Sequence, residues 1–180
     1  MAETGESPKS AHGRFFSYGL KLAAACFLLD QATKWLILEN FSTADRLEVT
    51  GFFNLVLVWN RGVSFGLFNN AAASQWQPLV LAALAVVVAV AMGIWLRRVH
   101  HRMTALAIGL VIGGALGNAV DRVTLGAVVD FLDFHAFGYH WPAFNVADCG
   151  IVVGAVLIAA DGLLMNRSGG KTGSSSGEGH

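Results

Sequence analysis

Residues 78–96 read PLVLAALAVVVAVAMGIWL, an almost wholly apolar run without a charged residue. A bilayer hydrocarbon core of about 30 Å is crossed by an α-helix of about 20 such residues. The run therefore predicts a transmembrane helix. The composition agrees, because 54% of the 180 residues are hydrophobic and only 13% are Asp, Glu, Lys or Arg. A soluble domain of this size has too little interior to hide that many apolar side chains.

The same figures exclude several classes of protein. A disordered chain would be polar and charged. A nucleic-acid partner is not expected, because its phosphates require a basic excess and the formal net charge here is zero. A disulfide scaffold needs more cysteines than Cys26 and Cys149.

Three more spans complete the predicted fold class, an all-α integral membrane protein with four transmembrane helices. Met103 to Val120 carries no charge and is rich in Gly and Ala, small residues that let helices approach closely in a membrane. Tyr18 to Leu38 and Phe144 to Leu164 are apolar between charged ends. Those charges are Lys21, Asp30 and Lys34 in the first segment, and Asp148 and Asp161 in the second.

Basic residues predict the orientation of these spans. They precede the first span, fill the turn at residues 97–102 and follow the fourth. By the positive-inside rule these segments are cytoplasmic. We expect a cytoplasmic tail at 1–17, one four-helix domain at 18–166 with outer loops at about 39–77 and 122–145, and a flexible cytoplasmic tail at 167–180.

The first outer loop predicts a small β-sheet that faces outward on the membrane surface. Phe52 to Trp59 (FFNLVLVW) is rich in aromatic and β-branched residues, which favours a strand. Asn60-Arg61-Gly62 is typical of a turn, and Val63 to Phe68 could form the partner strand. We expect the aromatic side chains of this sheet to face lipid.

Polar residues gather at the outer ends of the spans, where a charge is costly unless it is paired or faces water. They are Asp30, Lys34, Asn118, Asp121, Arg122, Asp130, Asp133, Asn145 and Asp148. We expect them to share one polar site. The i,i+4 spacing of Asp30 and Lys34 allows an ion pair. Arg122, next to Asp121, is expected to keep that carboxylate ionised as a structural partner.

Asp130 and Asp148 offer two interpretations. If they converge, two close carboxylates cannot both ionise easily, so one holds a proton near neutral pH. The charged partner could then activate water and the protonated one could donate to a carbonyl, as in an aspartic peptidase. Alternatively, Asp148 caps the fourth helix and Asp130 ends a loop.

Other chemistries fit less well. No H-E-x-x-H motif is present, and His135, His140 and Asp133 match no ligand spacing, so neither a metal nor a cofactor is expected. A small proton-coupled transporter and a non-catalytic assembly factor remain alternatives. A transporter predicts acids on both sides of the midplane, whereas only Asp161 lies near the inner edge.

Four ordered motifs give the chain a family resemblance. They are DQATKW (30–35), NRGVSFG (60–66), GGALGNAVDR (113–122) with Gly126 and VDF (129–131), and PAFNVAD (142–148). On these motifs the chain, from about Leu20 to Leu164, resembles the bacterial lipoprotein signal peptidases (signal peptidase II), which are aspartic peptidases of the inner membrane.

The resemblance implies roles that spacing leaves open. It implies that Asp130 and Asp148 are the catalytic pair. It implies supporting or substrate-binding roles for Asn60, Asn118, Asp121, Arg122, Asn145, Asp30 and Lys34. The implied substrates are diacylglyceryl-modified prolipoproteins, cut just before the lipidated cysteine, and inhibition by globomycin is expected.

Overall fold

A computed structural model describes residues 15–62 and 76–169. In chain order the elements are α1 (Phe16–Asn40), β1 (Arg46–Thr50), β2 (Phe53–Asn60), α2 (Gln77–Leu96), α3 (Arg102–Thr124), β3 (Val128–Ala136), β4 (Tyr139–His140) and α4 (Val146–Gly169). The predicted partner strand at 63–68, most of the amino-terminal tail and residues 170–180 lie outside the described residues.

The described chain is a mostly helical membrane protein with a small antiparallel sheet. By length and composition, three of its helices can cross a bilayer: Gln77–Leu96, Arg102–Thr124 and Val146–Leu163. With 25 residues, α1 is also long enough, about 37 Å. However, α1 contains more charged residues than any of the other three helices: Lys21, Asp30, Lys34 and Glu39.

The central helix of the bundle is α3, which packs against the other three. In its apolar stretch 72% of the residues are buried, against 17% in α2 and 22% in α4. Glycines make this close packing possible. A Cβ built on Gly113 would lie 2.5 Å from the Ala23 carbonyl oxygen of α1, and one on Gly154 of α4 would lie 2.6 Å from the Ala107 oxygen of α3. Backbones therefore meet directly, as in other membrane bundles with small interfacial residues.

The sheet has the strand order β1-β2-β3-β4, with all described neighbours antiparallel. The strand predicted at Phe52 to Trp59 is confirmed as β2, and it lies between β1 and β3. The segment between α3 and α4 supplies β3, which was not predicted from the sequence. Its first four residues, Val128 to Phe131, are all buried, so the polar–apolar alternation of a half-exposed strand is missing. This buried half of β3 carries Asp130 into the protein interior.

Substituting Gly113 by Ala should destabilise the bundle, because the new methyl group collides with the Ala23 backbone. Overpacking of this kind costs about 1–3 kcal/mol. The matched control is Gly93→Ala on α2, where an added Cβ has no neighbour within 4 Å and removing a helical glycine should be neutral or stabilising. The measurement is the thermal unfolding temperature in detergent, and an equal Tm for the two variants would contradict the packing argument.

Candidate active site

Nine of the polar residues singled out in the sequence meet at one end of the helix bundle. All are at most 7% exposed, and they come from α1, β2, α3, β3 and the segment that opens α4. They are Asp30, Lys34, Asn60, Asn118, Asp121, Arg122, Asp130, Asn145 and Asp148. The structure thus brings together side chains that are up to 118 positions apart.

An ion cluster joins α1 to α3. The Nζ atom of Lys34 lies 2.8 Å from Asp30 Oδ2 and 2.8 Å from Asp121 Oδ2, and it donates to Asn118 Oδ1 at 3.0 Å. Asp30 also accepts a 2.8 Å hydrogen bond from the backbone N–H of Ala147 in α4. The predicted Asp30–Lys34 pair is confirmed, and the cluster connects three helices.

The expected pairing of Arg122 with Asp121 is wrong. Successive residues of a helix do not face each other, and the cation that Asp121 contacts is Lys34. The guanidinium of Arg122 instead donates to the carbonyl oxygens of Gly62, at 2.8 Å, and Asn118, at 3.2 Å. It thereby ties the turn after β2 to α3.

Gln31 is a member of the cluster that sequence reasoning left out. Its Nε2 donates to Asp121 Oδ1 at 3.1 Å and to Asp30 Oδ2 at 3.2 Å. The remaining oxygen of Asp121 accepts a 3.2 Å hydrogen bond from the Val129 backbone N–H. The only signal in the sequence was the place of Gln31 inside the DQATKW motif.

Two asparagines link the carboxylates of Asp130 and Asp148. Nδ2 of Asn145 donates to Asp130 Oδ1 at 2.7 Å and to Asn118 Oδ1 at 3.2 Å. Nδ2 of Asn118 donates to Asp148 Oδ1 at 2.9 Å. The other oxygen of Asp130 accepts from Asn60 Nδ2 at 2.9 Å. The two acids therefore belong to one hydrogen-bonded chain that spans β2, β3, α3 and α4.

The alternative interpretation, in which Asp148 caps the fourth helix, is wrong. Asn145 Oδ1 accepts a 2.9 Å hydrogen bond from the backbone N–H of Asp148. This is the contact of an N-cap side chain with the third residue of a helix. Asn145 is therefore the cap of α4, and Asp148 lies in the first turn. Asp130, likewise, lies inside β3 rather than at the end of a loop.

Burial raises the pKa of Asp130, and the nearby carboxylate of Asp148 raises it further, to about 7. The hydrogen bonds donated by Asn60 and Asn145 oppose this rise, because they favour the charged form. At neutral pH the pair can therefore hold one proton and one negative charge. Such a pair can act as acid and base toward the same substrate bond.

Asp133 does not join this site, contrary to expectation. It is three residues from Asp130 on the same strand, and side chains of a strand alternate between its two faces. Asp133 Oδ2 accepts a 2.7 Å hydrogen bond from Asn54, and its carboxylate lies 2.8 Å from His140 Nδ1 and 3.6 Å from Arg46. Burial would raise the pKa of Asp133, but these contacts outweigh it and hold the pKa below its usual value. The residue joins the four strands.

Within residues 15–62 and 76–169, no three or more His, Cys, Asp or Glu side chains are grouped so as to hold a metal ion. This includes the combination of His135, His140 and Asp133 considered above.

The fold and the site define a multi-pass membrane protein with a buried pair of linked carboxylates. A family model described as Signal peptidase (SPase) II matches residues 22–164. The chain therefore belongs to the signal peptidase II family, whose members are membrane peptidases. This membership does not support the transporter alternative.

Individual relatives and a solved structure support this family membership. The chain is 48% identical over 157 residues to a lipoprotein signal peptidase of Ralstonia nicotianae, covering 86% of this chain and 89% of the relative. It is 48% identical over 139 residues to the protein of that name from a Methylobacterium species, covering 76% and 82%. A solved structure described as a bacterial membrane enzyme superimposes with a TM-score of 0.74 at 28% identity, covering 91% of this chain and 96% of that one.

Removing the charge of Lys34 should destabilise the protein strongly. In Lys34→Met the buried carboxylates of Asp30 and Asp121 lose their shared cation, and breaking a buried pair in this way costs about 3–5 kcal/mol. Lys21→Met is the matched control, because Lys21 is exposed on the same helix. Thermal unfolding in detergent measures both variants. If Lys34→Met unfolds at the temperature of the control, the ion cluster does not hold α1 against α3.

Proposed function

We propose that this chain removes the signal peptide from diacylglyceryl-modified prolipoproteins by an aspartic mechanism, cutting just before the lipidated cysteine. The observation that carries the mechanism is the pair of buried carboxylates, Asp130 and Asp148, linked through the amides of Asn145 and Asn118. The family supports the general activity, since its members remove signal peptides from lipoproteins.

The two acids divide the chemistry according to their protonation. Asp130, with a pKa of about 7, holds a proton and donates it to the oxygen of the scissile carbonyl. Ionised Asp148 takes a proton from a water molecule as that water attacks the carbonyl carbon. When the tetrahedral intermediate collapses, the C–N bond breaks and the proton on Asp148 passes to the departing amine. Asp130 recovers its proton from the hydroxyl group that becomes the new carboxyl.

The other residues around the pair position it. Asn60 and Asn145 each donate to one oxygen of Asp130, and Asn118 donates to Asp148. Asp30, Lys34 and Asp121 hold α1 to α3 beneath the pair. Arg122 fixes the turn at Gly62, next to Asn60. None of these supporting residues has to exchange a proton in the reaction.

We further propose that α1 is the fourth transmembrane helix. Its surface away from the site is apolar, and Leu28, Leu29, Trp35 and Leu36 are all more than half exposed. In water such a surface would be costly, whereas lipid accommodates it. The charged residues of α1 that fall within the bilayer face the bundle, as Asp30 and Lys34 do.

The site then lies toward the outer leaflet of the inner membrane, with both termini cytoplasmic. Arg97, Arg98 and Arg102 lie at the turn between α2 and α3, at the opposite end of α3 from Asn118, and the positive-inside rule places that turn in the cytoplasm. Exposed aromatic side chains of the sheet and its loops include Phe52 and Trp141. They suit the interface between the outer leaflet of the inner membrane and water. A lipid-anchored substrate reaches the site at this depth. Binding of globomycin is a further expectation of this proposal.

Replacing either acid by its amide should reduce cleavage of a diacylglyceryl-modified prolipoprotein by about 10²–10⁴-fold, because general acid–base catalysis is lost. The variants are Asp130→Asn and Asp148→Asn, assayed as purified protein in detergent. The control is Asp133→Asn, an equally conservative change at a buried acid on β3 that contacts neither residue of the pair. Cleavage at the wild-type rate by either active-site variant would refute the assignment.

The pH profile of kcat/KM tests which acid holds the proton. Activity should fall as the pH rises through about 7, because Asp130 then loses the proton it must donate. In Asn60→Ala the carboxylate loses a hydrogen bond that favours its charged form, so its pKa should increase and the alkaline limb should move to higher pH.

The matched control for this shift is Asn54→Ala. Asn54 is another buried asparagine of β2 that donates to a carboxylate of β3, but its partner is Asp133. The alkaline limb of the Asn54→Ala pH profile should coincide with that of the wild type. A limb that does not move in Asn60→Ala, or that moves equally in both variants, would show that Asp130 does not set it.

A further inference from the structure

Three arginines lie together at the end of the helix bundle opposite the candidate active site. Arg97 and Arg98 follow the last residue of α2, and Arg102 is the first residue of α3. All three are exposed, and they are called the arginine cluster below. Because α2 and α3 are both long and apolar enough to cross a bilayer, the turn that joins them lies at one edge of the bilayer, at the depth of the lipid headgroups.

The positive charge of the arginine cluster has no carboxylate partner among the described residues. The ion pairs that the described part of the chain forms involve Lys34, Arg46 or His140. The carboxylate of Asp161, on α4 near this end of the bundle, accepts a hydrogen bond from the hydroxyl group of Thr104. Basic side chains at the surface of a membrane attract anionic lipids, and here no described acid competes with such a ligand.

Aromatic side chains at the start of α1 contact two of the three guanidinium groups. The Cζ atom of Arg97 lies 5.8 Å from the centre of the Phe16 ring, and that of Arg102 lies 5.0 Å from the centre of the Tyr18 ring. Both distances are those of a cation–π contact. Since such a contact uses no hydrogen bond, the N–H groups of both arginines remain available to an acceptor.

The backbone beneath the arginine cluster is closely packed. Leu96 and Val99, the residues that bracket the first two arginines, are 0% and 5% exposed. A Cβ built on Gly19 of α1 would lie 2.7 Å from Leu96 Cδ1 and 3.0 Å from the Ala105 carbonyl oxygen of α3. Three helices therefore meet at this point, which fixes the positions of the arginines relative to one another.

We propose that the arginine cluster binds the phosphate group of an anionic phospholipid of the surrounding bilayer, such as phosphatidylglycerol. Guanidinium groups form charge-assisted, bidentate hydrogen bonds with phosphate oxygens. The acyl chains of the lipid have an adjacent apolar surface, because Trp95 on α2 and Met103 on α3 are 40% and 53% exposed. A soluble phosphate compound has nothing to place on that surface. This site lies at the other end of the bundle from the carboxylate pair, so the inference does not depend on the proposed function.

Titration of the purified protein in neutral detergent with phosphatidylglycerol, followed by native mass spectrometry, measures this binding. Arg97→Gln, Arg98→Gln and Arg102→Gln should each raise the apparent Kd by about fivefold, the contribution of one basic residue near anionic lipid. Arg61→Gln is the matched control, because Arg61 is also exposed but follows β2 at the opposite end. Its apparent Kd should equal that of the wild type.

The choice of lipid tests the chemistry of the ligand. Phosphatidylcholine should bind more weakly than phosphatidylglycerol, because its own ammonium group offsets the charge of its phosphate. Inorganic phosphate should also bind more weakly, because it has no acyl chains. If phosphatidylcholine binds as tightly as phosphatidylglycerol, the cluster does not select an anionic lipid. If inorganic phosphate binds as tightly, the ligand is not a lipid. Either result would overturn the proposal.

The aromatic residues distinguish a built site from diffuse attraction between charges. Phe16→Leu and Tyr18→Leu keep every charge but remove a ring that contacts an arginine, so the apparent Kd for phosphatidylglycerol should rise by about two- to fivefold. Tyr139→Leu is the control, since Tyr139 is 69% exposed and lies on β4. Lipid-free Tm values identify any variant that does not fold, and the other aromatic variant then serves alone. An unchanged Kd in the folded aromatic variants, or in all three arginine variants, contradicts the proposed site.

Discussion

The ion cluster around Lys34 is the interaction on which the rest of the site depends. One ammonium group contacts two carboxylates at 2.8 Å each, and all three side chains are at most 4% exposed. Charges buried so deeply are stable only when they are paired and hydrogen-bonded. The helices must therefore approach closely. Gly117 allows this, because a Cβ at that position would lie 2.5 Å from Asp30 Oδ2.

The cluster is continuous with the proposed catalytic pair. Asn118 accepts from Lys34 and donates to Asp148, so one amide belongs to both groups. The acids differ in what surrounds them. Asp30 and Asp121 contact the ammonium group of Lys34, whereas Asp130 accepts hydrogen bonds from the neutral amides of Asn60 and Asn145. Neutral donors compensate burial less fully than a cation does, which leaves one acid able to hold a proton near neutral pH.

The two faces of β3 carry acids with different surroundings. Toward the helices β3 presents Asp130, and on the opposite side Asp133 joins the strands through Asn54, His140 and Arg46. Period-two alternation could have separated these two acids in the sequence, had β3 been recognised as a strand. The strand was missed because Val128 to Phe131 are all buried and so lack the alternation of a half-exposed strand. The capping role of Asn145 could have been read from its position three residues before Asp148, at the start of an apolar run.

Local patterns in the sequence determined the apolar spans, the strand β2, the Asp30–Lys34 pair and most of the polar residues that meet at one end of the helix bundle. They could do so because hydropathy and helical spacing act over a few residues. The four motifs pointed to the family. Only the tertiary structure decided that Asp121 pairs with Lys34 rather than Arg122, that Asp133 lies apart, and that Asn118 and Asn145 link the two acids. Those contacts join residues 15 to 87 positions apart. Which of them form depends on how closely the glycine-lined helices pack, which spacing along the chain does not specify.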